Sequence, residues 1–239
     1  MTKRINLISG PRNISTALMY SFGNRKDTSV VDEPMYAYYL HNTGIDHPGK
    51  EAVLDSLPID LDKVKSQLLL KQVETPLYFI KNMAHHFIMT DWSFILNMAN
   101  VFLIRDPKKL IHSFAKVIPS PSLDDIGLKK EVELFDYLKD NDQDVVVMDS
   151  EEVLKNPRKV LNELCQKLKI PFDEDMLKWA PGPRAYDGSW AKYWYSNVHQ
   201  TEGFQKNITK PVTLKKELMP VYEQALPFYN KLKEVAIAA

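Results

Sequence analysis

The stretch Ser9-Gly10-Pro11-Arg12-Asn13-Ile14-Ser15-Thr16 brings a glycine, an arginine and two adjacent hydroxyls into one short segment. It follows an apolar run, Ile5 to Ile8, long enough for one buried strand. It precedes Leu18, Met19 and Phe22, which are spaced to line one face of a helix entered at Ile14. A strand, a small polar turn and a helix form a cradle for a phosphate-like anion. The first N–H groups of such a helix have no intrahelical partner and stand at the positive end of its dipole. Arg12 adds a full charge on a forked donor, and Ser15 and Thr16 add hydroxyls. The triphosphate loop G-x-x-x-x-G-K-[ST] is absent: Gly10 is the only glycine here, and no lysine precedes Ser15. No acid at the end of an apolar strand pairs with the loop to hold magnesium. The same residues also suit an ordinary strand-to-helix turn.

Three further chemical stretches follow apolar runs. Glu33 comes after Thr28 to Val31 and just before Pro34, which stops strand pairing. Lys81, His85 and His86 follow Pro76 to Ile80. Arg105 follows Asn100 to Ile104, with Ser113 eight residues on, about two turns along a helix over Lys108 to Val117. The C-terminal ends of parallel strands gather on one side, where ligands bind, so all four stretches should converge. Arg105 and Ser113 would there grip a second phosphate. Each residue also has an ordinary explanation. Arg105 would form a capping ion pair with Asp106, Lys81 would be a solvated strand end, and Glu33 a loop carboxylate in water. One of His85 and His86 would be a hydrogen-bonded core histidine and the other exposed. Taken together, these require several coincidences at one sheet edge. His41 and His47 have no carboxylate or cysteine spacing of a metal centre, and no metal is expected.

The elements that must hold these residues alternate along the chain. Helical patterns cover Asp60 to Gln72 (with Leu61, Val64, Leu68 and Leu69 as the apolar stripe), Asp91 to Met98 and Leu128 to Leu138. A fifth strand, Val145 to Met148, opens into a helical stretch ending at Leu168. The expectation is an α/β fold with a parallel central sheet flanked by helices, residues 1–239 forming a single domain. From Trp179 to Gln205 the chain is crowded with aromatic, glycine and proline residues, a segment that either caps the core or closes over a ligand. The tail from Thr213 to Val235 reads as an amphipathic helix broken near Pro220 and Pro227.

Lysine plus arginine number 31 and aspartate plus glutamate 31, a net charge of zero that argues against nucleic acid as a partner. Cys165, the single cysteine, excludes an internal disulfide framework and fits a reducing compartment. No apolar run approaches the roughly 18 residues of a membrane span, and the N-terminus lacks the apolar core of a secretory leader. These features predict a soluble, cytoplasmic protein.

The loop Ser9 to Thr16 resembles the 5′-phosphosulfate loop of sulfotransferases that use 3′-phosphoadenosine 5′-phosphosulfate (PAPS), which reads roughly P-[KR]-S-G-[ST]-T. Arg105 to Ser113 resembles their 3′-phosphate motif. Val145 to Pro157 and Gly188 to Lys192 are similar to later segments of the same family. The resemblance implies a P-loop sulfotransferase fold, PAPS as co-substrate, and a small-molecule hydroxyl or amine acceptor. It assigns Gly10, Pro11, Arg12, Asn13, Ile14, Ser15, Thr16, Arg105 and Ser113 to nucleotide binding. Glu33 matches the acidic base of one branch, with His85 second and His86 third, and Met83 falls where the other branch has its histidine. Lys81 would assist the sulfuryl oxygens. The chain departs from the pattern in three places. Ile14 replaces a glycine, Ala17 replaces an adenine-stacking tryptophan, and the late loop lacks Arg-Lys-Gly, for which Arg184 and Lys192 would compensate. Tyr36 to Tyr39 and Trp190 to Tyr195 would form an apolar acceptor pocket. The competing readings are a P-loop phosphotransferase such as a kinase, and a non-catalytic nucleotide-binding module of the same fold.

Overall fold

Apolar runs rich in β-branched residues form strands at each place the sequence puts one. They are β1 (Lys3–Ser9), β2 (Thr28–Asp32), β3 (Leu77–Met83), β4 (Ala99–Ile104) and β5 (Val145–Asp149). A computed structural model describes residues 2–205 and 212–239. It adds a sixth strand, β6 (Ala236–Ile237), too short to leave a pattern in the sequence. The strands lie in the order β2-β3-β1-β4-β5-β6, and every pairing is parallel. β3 runs three residues past Ile80, so Lys81 is an interior strand residue paired in register with Asp32, and not a solvated strand end.

Side chains alternate across these strands and create two cores. Ile5, Leu7, Phe79, Val101, Leu103 and Met148 face one side. There α1 (Ser15–Gly23), α2 (Tyr36–Thr43), α3 (Lys50–Ser56), α8 (Ser150–Lys155) and α9 (Pro157–Lys167) cover them. Ile8, Tyr78, Ile80, Phe102, Ile104 and Val147 face the other. α5 (Pro107–Phe114), α7 (Leu128–Asp140) and α11 (Met219–Lys233) cover that side. Strands covered on both faces explain the near-continuous apolar runs. Trp179, Trp190 and Tyr195 of the late aromatic segment are buried in the first core.

Three helical expectations are corrected. Asp60 to Gln72 does not form one α-helix: α4 (Leu61–Val64) passes into a π-helical turn, Lys65–Leu69. The wider turn brings Val64 and Leu69 inward and leaves Leu61 and Leu68 half-buried. Asp91 to Met98 holds only a 3-10 turn, Ser93–Asn97. α11 is not broken at Pro227. Pro227 is exposed, so the carbonyl that its missing N–H leaves free can turn to water. Among the described residues no helix is long and apolar enough to cross a membrane.

Candidate active site

β1 ends at Ser9 and α1 begins at Ser15, so the intervening turn is short and tightly held. Asn13 pins it: its side-chain amide donates to the Leu103 carbonyl at 2.6 Å, and its Oδ1 accepts the Ile14 N–H at 2.9 Å. Gly10 is needed for close packing, since a Cβ there would lie 2.5 Å from the Ile126 carbonyl oxygen of α6 (Leu123–Ile126). No side chain caps the start of α1, leaving its first N–H groups for a ligand. Arg12 and Glu33 sit at φ 54° and 39°, a region that ordinary residues occupy only under constraint and that clusters at ligand sites.

Arg12 and Arg105 lie side by side. The Arg105 guanidinium donates to the Arg12 carbonyl, and Arg12 Nε donates to Ser113 Oγ at 3.3 Å. Asp106 is not the partner of Arg105; it caps α5, accepting the Lys108 N–H at 2.8 Å. Neither arginine makes a salt bridge among the described residues. Burial lowers the pKa of both, and the charge of Arg12 lowers Arg105 further. Glu151, Asp106 and Asp149 act on Arg105 only from a distance, and two neighbouring cations that no salt bridge neutralises can receive an anion. They line a cavity of about 460 Å³ whose opposite wall, including Trp194, Gln200 and Phe204, comes from the late aromatic segment. Arg184 and Lys192 are absent from this wall. The Arg184 guanidinium lies 5.2 Å over Tyr20 and donates to the Ala180 carbonyl, while exposed Lys192 lies 5.0 Å over Tyr193. Compensation of the missing Arg-Lys-Gly run by these two residues is not what the geometry offers.

A second cavity, of about 90 Å³, borders the same cradle: Arg12, Asn13 and Thr16 line both, and Ser15 lines the second alone. Glu33, Lys81, Met83, His85 and His86 line it, so the structure brings all three base candidates together. Lys81, 1 % exposed, donates to Asp32 Oδ1 at 2.9 Å, to Glu33 Oε1, and to the Tyr195 hydroxyl at 2.8 Å. An ammonium has three hydrogens, and none is left for sulfuryl oxygens. Burial pulls this ammonium's pKa down, but Asp32 and Glu33 outweigh it and raise the value. For Glu33, burial raises the pKa; Asp32 adds to that and Lys81 opposes it. Glu33 Oε1 is held by Lys81 and Tyr195, whereas Oε2 makes no hydrogen bond among the described residues. Burial drives His85 down to about 3 and His86 well below its usual range, so both imidazoles are neutral. His86 stacks against Tyr36 and Tyr39 at 4.8 and 4.7 Å. An outer chamber of about 180 Å³ shares His47, His85 and Phe114 with this cavity.

Asp32 was missed in the sequence, and Tyr195 was placed only in the aromatic wall of an acceptor pocket. Asp32 left one signal, an Asp-Glu pair closing a strand next to one that carries a lysine. The contacts of the Tyr195 hydroxyl left none, because its place depends on how the late segment packs.

Glu131 of α7 is fully buried, and neither carboxyl oxygen makes a well-formed hydrogen bond among the described residues. Burial raises its pKa strongly, and the nearby Gly10 amide opposes this by less. The folded state therefore holds a proton that the unfolded chain releases above about pH 4.3, and stability falls as pH rises beyond that. Glu131→Gln is expected to be the more stable protein at pH 8 and to lose its advantage near pH 4. Urea denaturation at the two values checks this.

A family model described as "Sulfotransferase domain" matches residues 3–236. In Arabidopsis thaliana, branched-chain-amino-acid aminotransferase-like protein 2 is 35% identical over 230 residues, covering 96% of this chain and 41% of that protein. Aminotransferase-like protein 1 is 36% identical over 226 residues, covering 94% and 40%. The chain thus spans about two-fifths of the length of these curated relatives. Among solved structures, the sulfotransferase domain of the Synechococcus PCC 7002 olefin synthase superposes with a TM-score of 0.56 at 19% identity, covering 93% and 94% of the two chains. A sulfotransferase from Alicyclobacillus acidocaldarius gives 0.55 at 11% identity, covering 99% and 98%. Both show the same fold.

Proposed function

The chain belongs to the sulfotransferase domain family, and from that premise we propose that it moves the sulfuryl group of PAPS to a hydroxyl or amine of a small acceptor. The observation that carries this is the pair of arginines, Arg12 and Arg105, lying together with no salt bridge among the described residues, beside the start of α1. Arg105 and Ser113 would take the 3′-phosphate. Arg12, Ser15, Thr16 and the N–H groups of α1 would take the 5′-phosphosulfate. Trp194 and Phe204, which wall the same cavity, offer the aromatic surface that Ala17 cannot.

Sulfuryl transfer resembles phosphoryl transfer in being an in-line displacement with a loose transition state. The acceptor oxygen or nitrogen forms its bond to sulfur while the bond from sulfur to the 5′-phosphate oxygen breaks, its electron pair staying on the phosphate. Fixed donors around that oxygen stabilise the growing charge. The acceptor's proton passes to Glu33 Oε2, the oxygen that no other group holds among the described residues. Lys81 fixes the base and leaves the sulfuryl oxygens to Arg12 and the helix start. Cys165, a buried free thiol, suits a reducing compartment such as the cytoplasm.

Calorimetric titration with adenosine 3′,5′-bisphosphate, 5′-AMP and Mg-ATP tests the reading. The bisphosphate is expected to bind best, and Arg105→Ala to weaken it by about 10- to 100-fold, as loss of a charge-assisted contact does. Equal or better binding of Mg-ATP would replace this reading with a phosphotransferase. Tight binding of the bisphosphate without transfer to any acceptor in a broad screen would leave a binding module.

A further inference from the structure

The Tyr195 hydroxyl is wholly enclosed by polar partners from three parts of the chain. It accepts from Lys81 Nζ at 2.8 Å and from Trp190 Nε1 at 3.1 Å. Its own proton faces Asp32, whose oxygens lie at 2.8 and 2.9 Å, and Glu33 Oε1 at 3.3 Å. A phenol has one hydrogen and two acceptor sites, so every position on this oxygen is used. Tyr195 also lines both the arginine-walled cavity and the one holding Glu33. It closes α10 (Ala191–Trp194), whose segment is anchored by the residues just before the helix and by one within it. Ser189 donates to the Ala52 carbonyl at 3.1 Å, and the Gly188 N–H donates to Asp32 Oδ2 at 3.2 Å. The Tyr193 ring lies so close to Gly49 that a Cβ there would sit 2.4 Å from it. The phenol is therefore held in place by its segment as well as by its partners.

We propose that Tyr195 is a positioning residue for the transfer: its hydroxyl, carried on the wall between the two cavities, fixes Oε1 of Glu33 and so turns Oε2 toward the acceptor. The proposal rests on the sulfotransferase reading for its purpose, but its contact with Glu33 can be tested apart from it. Without the phenol O–H, Glu33 keeps Lys81 as its one donor and loses the longer, 3.3 Å branch of the hydrogen that Tyr195 shares with Asp32, a contact that favours the charged carboxylate. The other groups facing Glu33 stay in place in Tyr195→Phe: Asp32 from β2, Lys81 from β3, Tyr36 from α2, and Arg12, His47, His85 and His86 around the cavity.

The experiment is a carbon-13 NMR titration of side-chain-labelled glutamate, with the Glu33 signal identified by its loss in Glu33→Gln. In Tyr195→Phe the Glu33 midpoint is expected to rise by roughly half a pH unit, part of one hydrogen bond to a charged group, because Asp32 takes the shorter branch of the phenol's hydrogen. Trp190→Phe, which removes the donor behind the phenol, should move it the same way by less. A structural role alone would lower thermal stability and leave the midpoint where it is. A midpoint unmoved in both variants, with both still folded, overturns the proposal; if Tyr195→Phe does not fold, an unmoved midpoint in Trp190→Phe does so. Calorimetry with adenosine 3′,5′-bisphosphate is run beside the titration, and wild-type protein that ignores the bisphosphate overturns the sulfotransferase reading without touching the NMR result.

Discussion

Glu33→Gln is expected to lower the rate of sulfuryl transfer by about 10²- to 10⁴-fold, the usual contribution of a positioned general base. Affinity for adenosine 3′,5′-bisphosphate should stay within about threefold, because Glu33 lines the inner cavity and is absent from the arginine-walled one. Glutamine preserves the size of the side chain, and its carbonyl oxygen can still accept from Lys81. It cannot accept a proton. The two histidines beside it are weaker candidates for a physical reason: a group whose pKa lies near 3 is a poor proton acceptor for an alcohol at neutral pH. Glu33 is shifted the other way, upward, by burial, which brings a carboxylate closer to the useful range. The wild-type rate should therefore fall as acid protonates Glu33, with the acid limb above that of an ordinary glutamate. Single-turnover release of the bisphosphate from PAPS, followed against pH, measures both effects. Full transfer in Glu33→Gln would make His85 the next base to test.

The legible parts of this site were those fixed by local period. Arg105 and Ser113 could be placed near each other because a strand end and a helix of known pitch set their separation, and the structure links them through Arg12. Glu33 could be placed at the sheet edge because Pro34 marks where β2 must stop. Lys81 was located at the right strand but given the wrong surroundings, since nothing in Leu77 to Met83 shows that β3 continues through a charged residue. It does so because Asp32 at the end of the neighbouring strand and Glu33 just past it neutralise the lysine, a fact that one segment cannot display. Arg184 and Lys192 were chosen for charge alone, and in a segment without periodicity charge says little about direction. Tyr195 shows the same limit from the other side. Its hydroxyl is placed by Trp190, Lys81 and Asp32, residues up to 163 positions away in the chain.

Lys81→Met is expected to destabilise the fold by about 3–5 kcal/mol at neutral pH, the cost of leaving a buried charge without its partner. Methionine fills the space of the lysine stem, so the loss comes from electrostatics more than from a void. Asp32 and Glu33 would then face each other from adjacent positions, both buried, with the Tyr195 hydroxyl as the remaining shared donor. The sign of the pH dependence follows. Removing the ammonium takes away the charge that holds the Glu33 pKa down, so that pKa rises further in the folded state and the penalty is small at low pH, where this carboxyl is protonated in both states. It grows as pH rises through the usual carboxylate range. Urea denaturation at pH 4 and pH 8 should show the gap between Lys81→Met and wild type widening with pH, and Asp32→Asn added to Lys81→Met should close part of it. The measurement separates two roles for the lysine. A residue that serves only sulfuryl oxygens would lose transfer and keep its stability at both pH values. The three hydrogen bonds of Lys81, all to groups within the protein, predict that stability and transfer fall together.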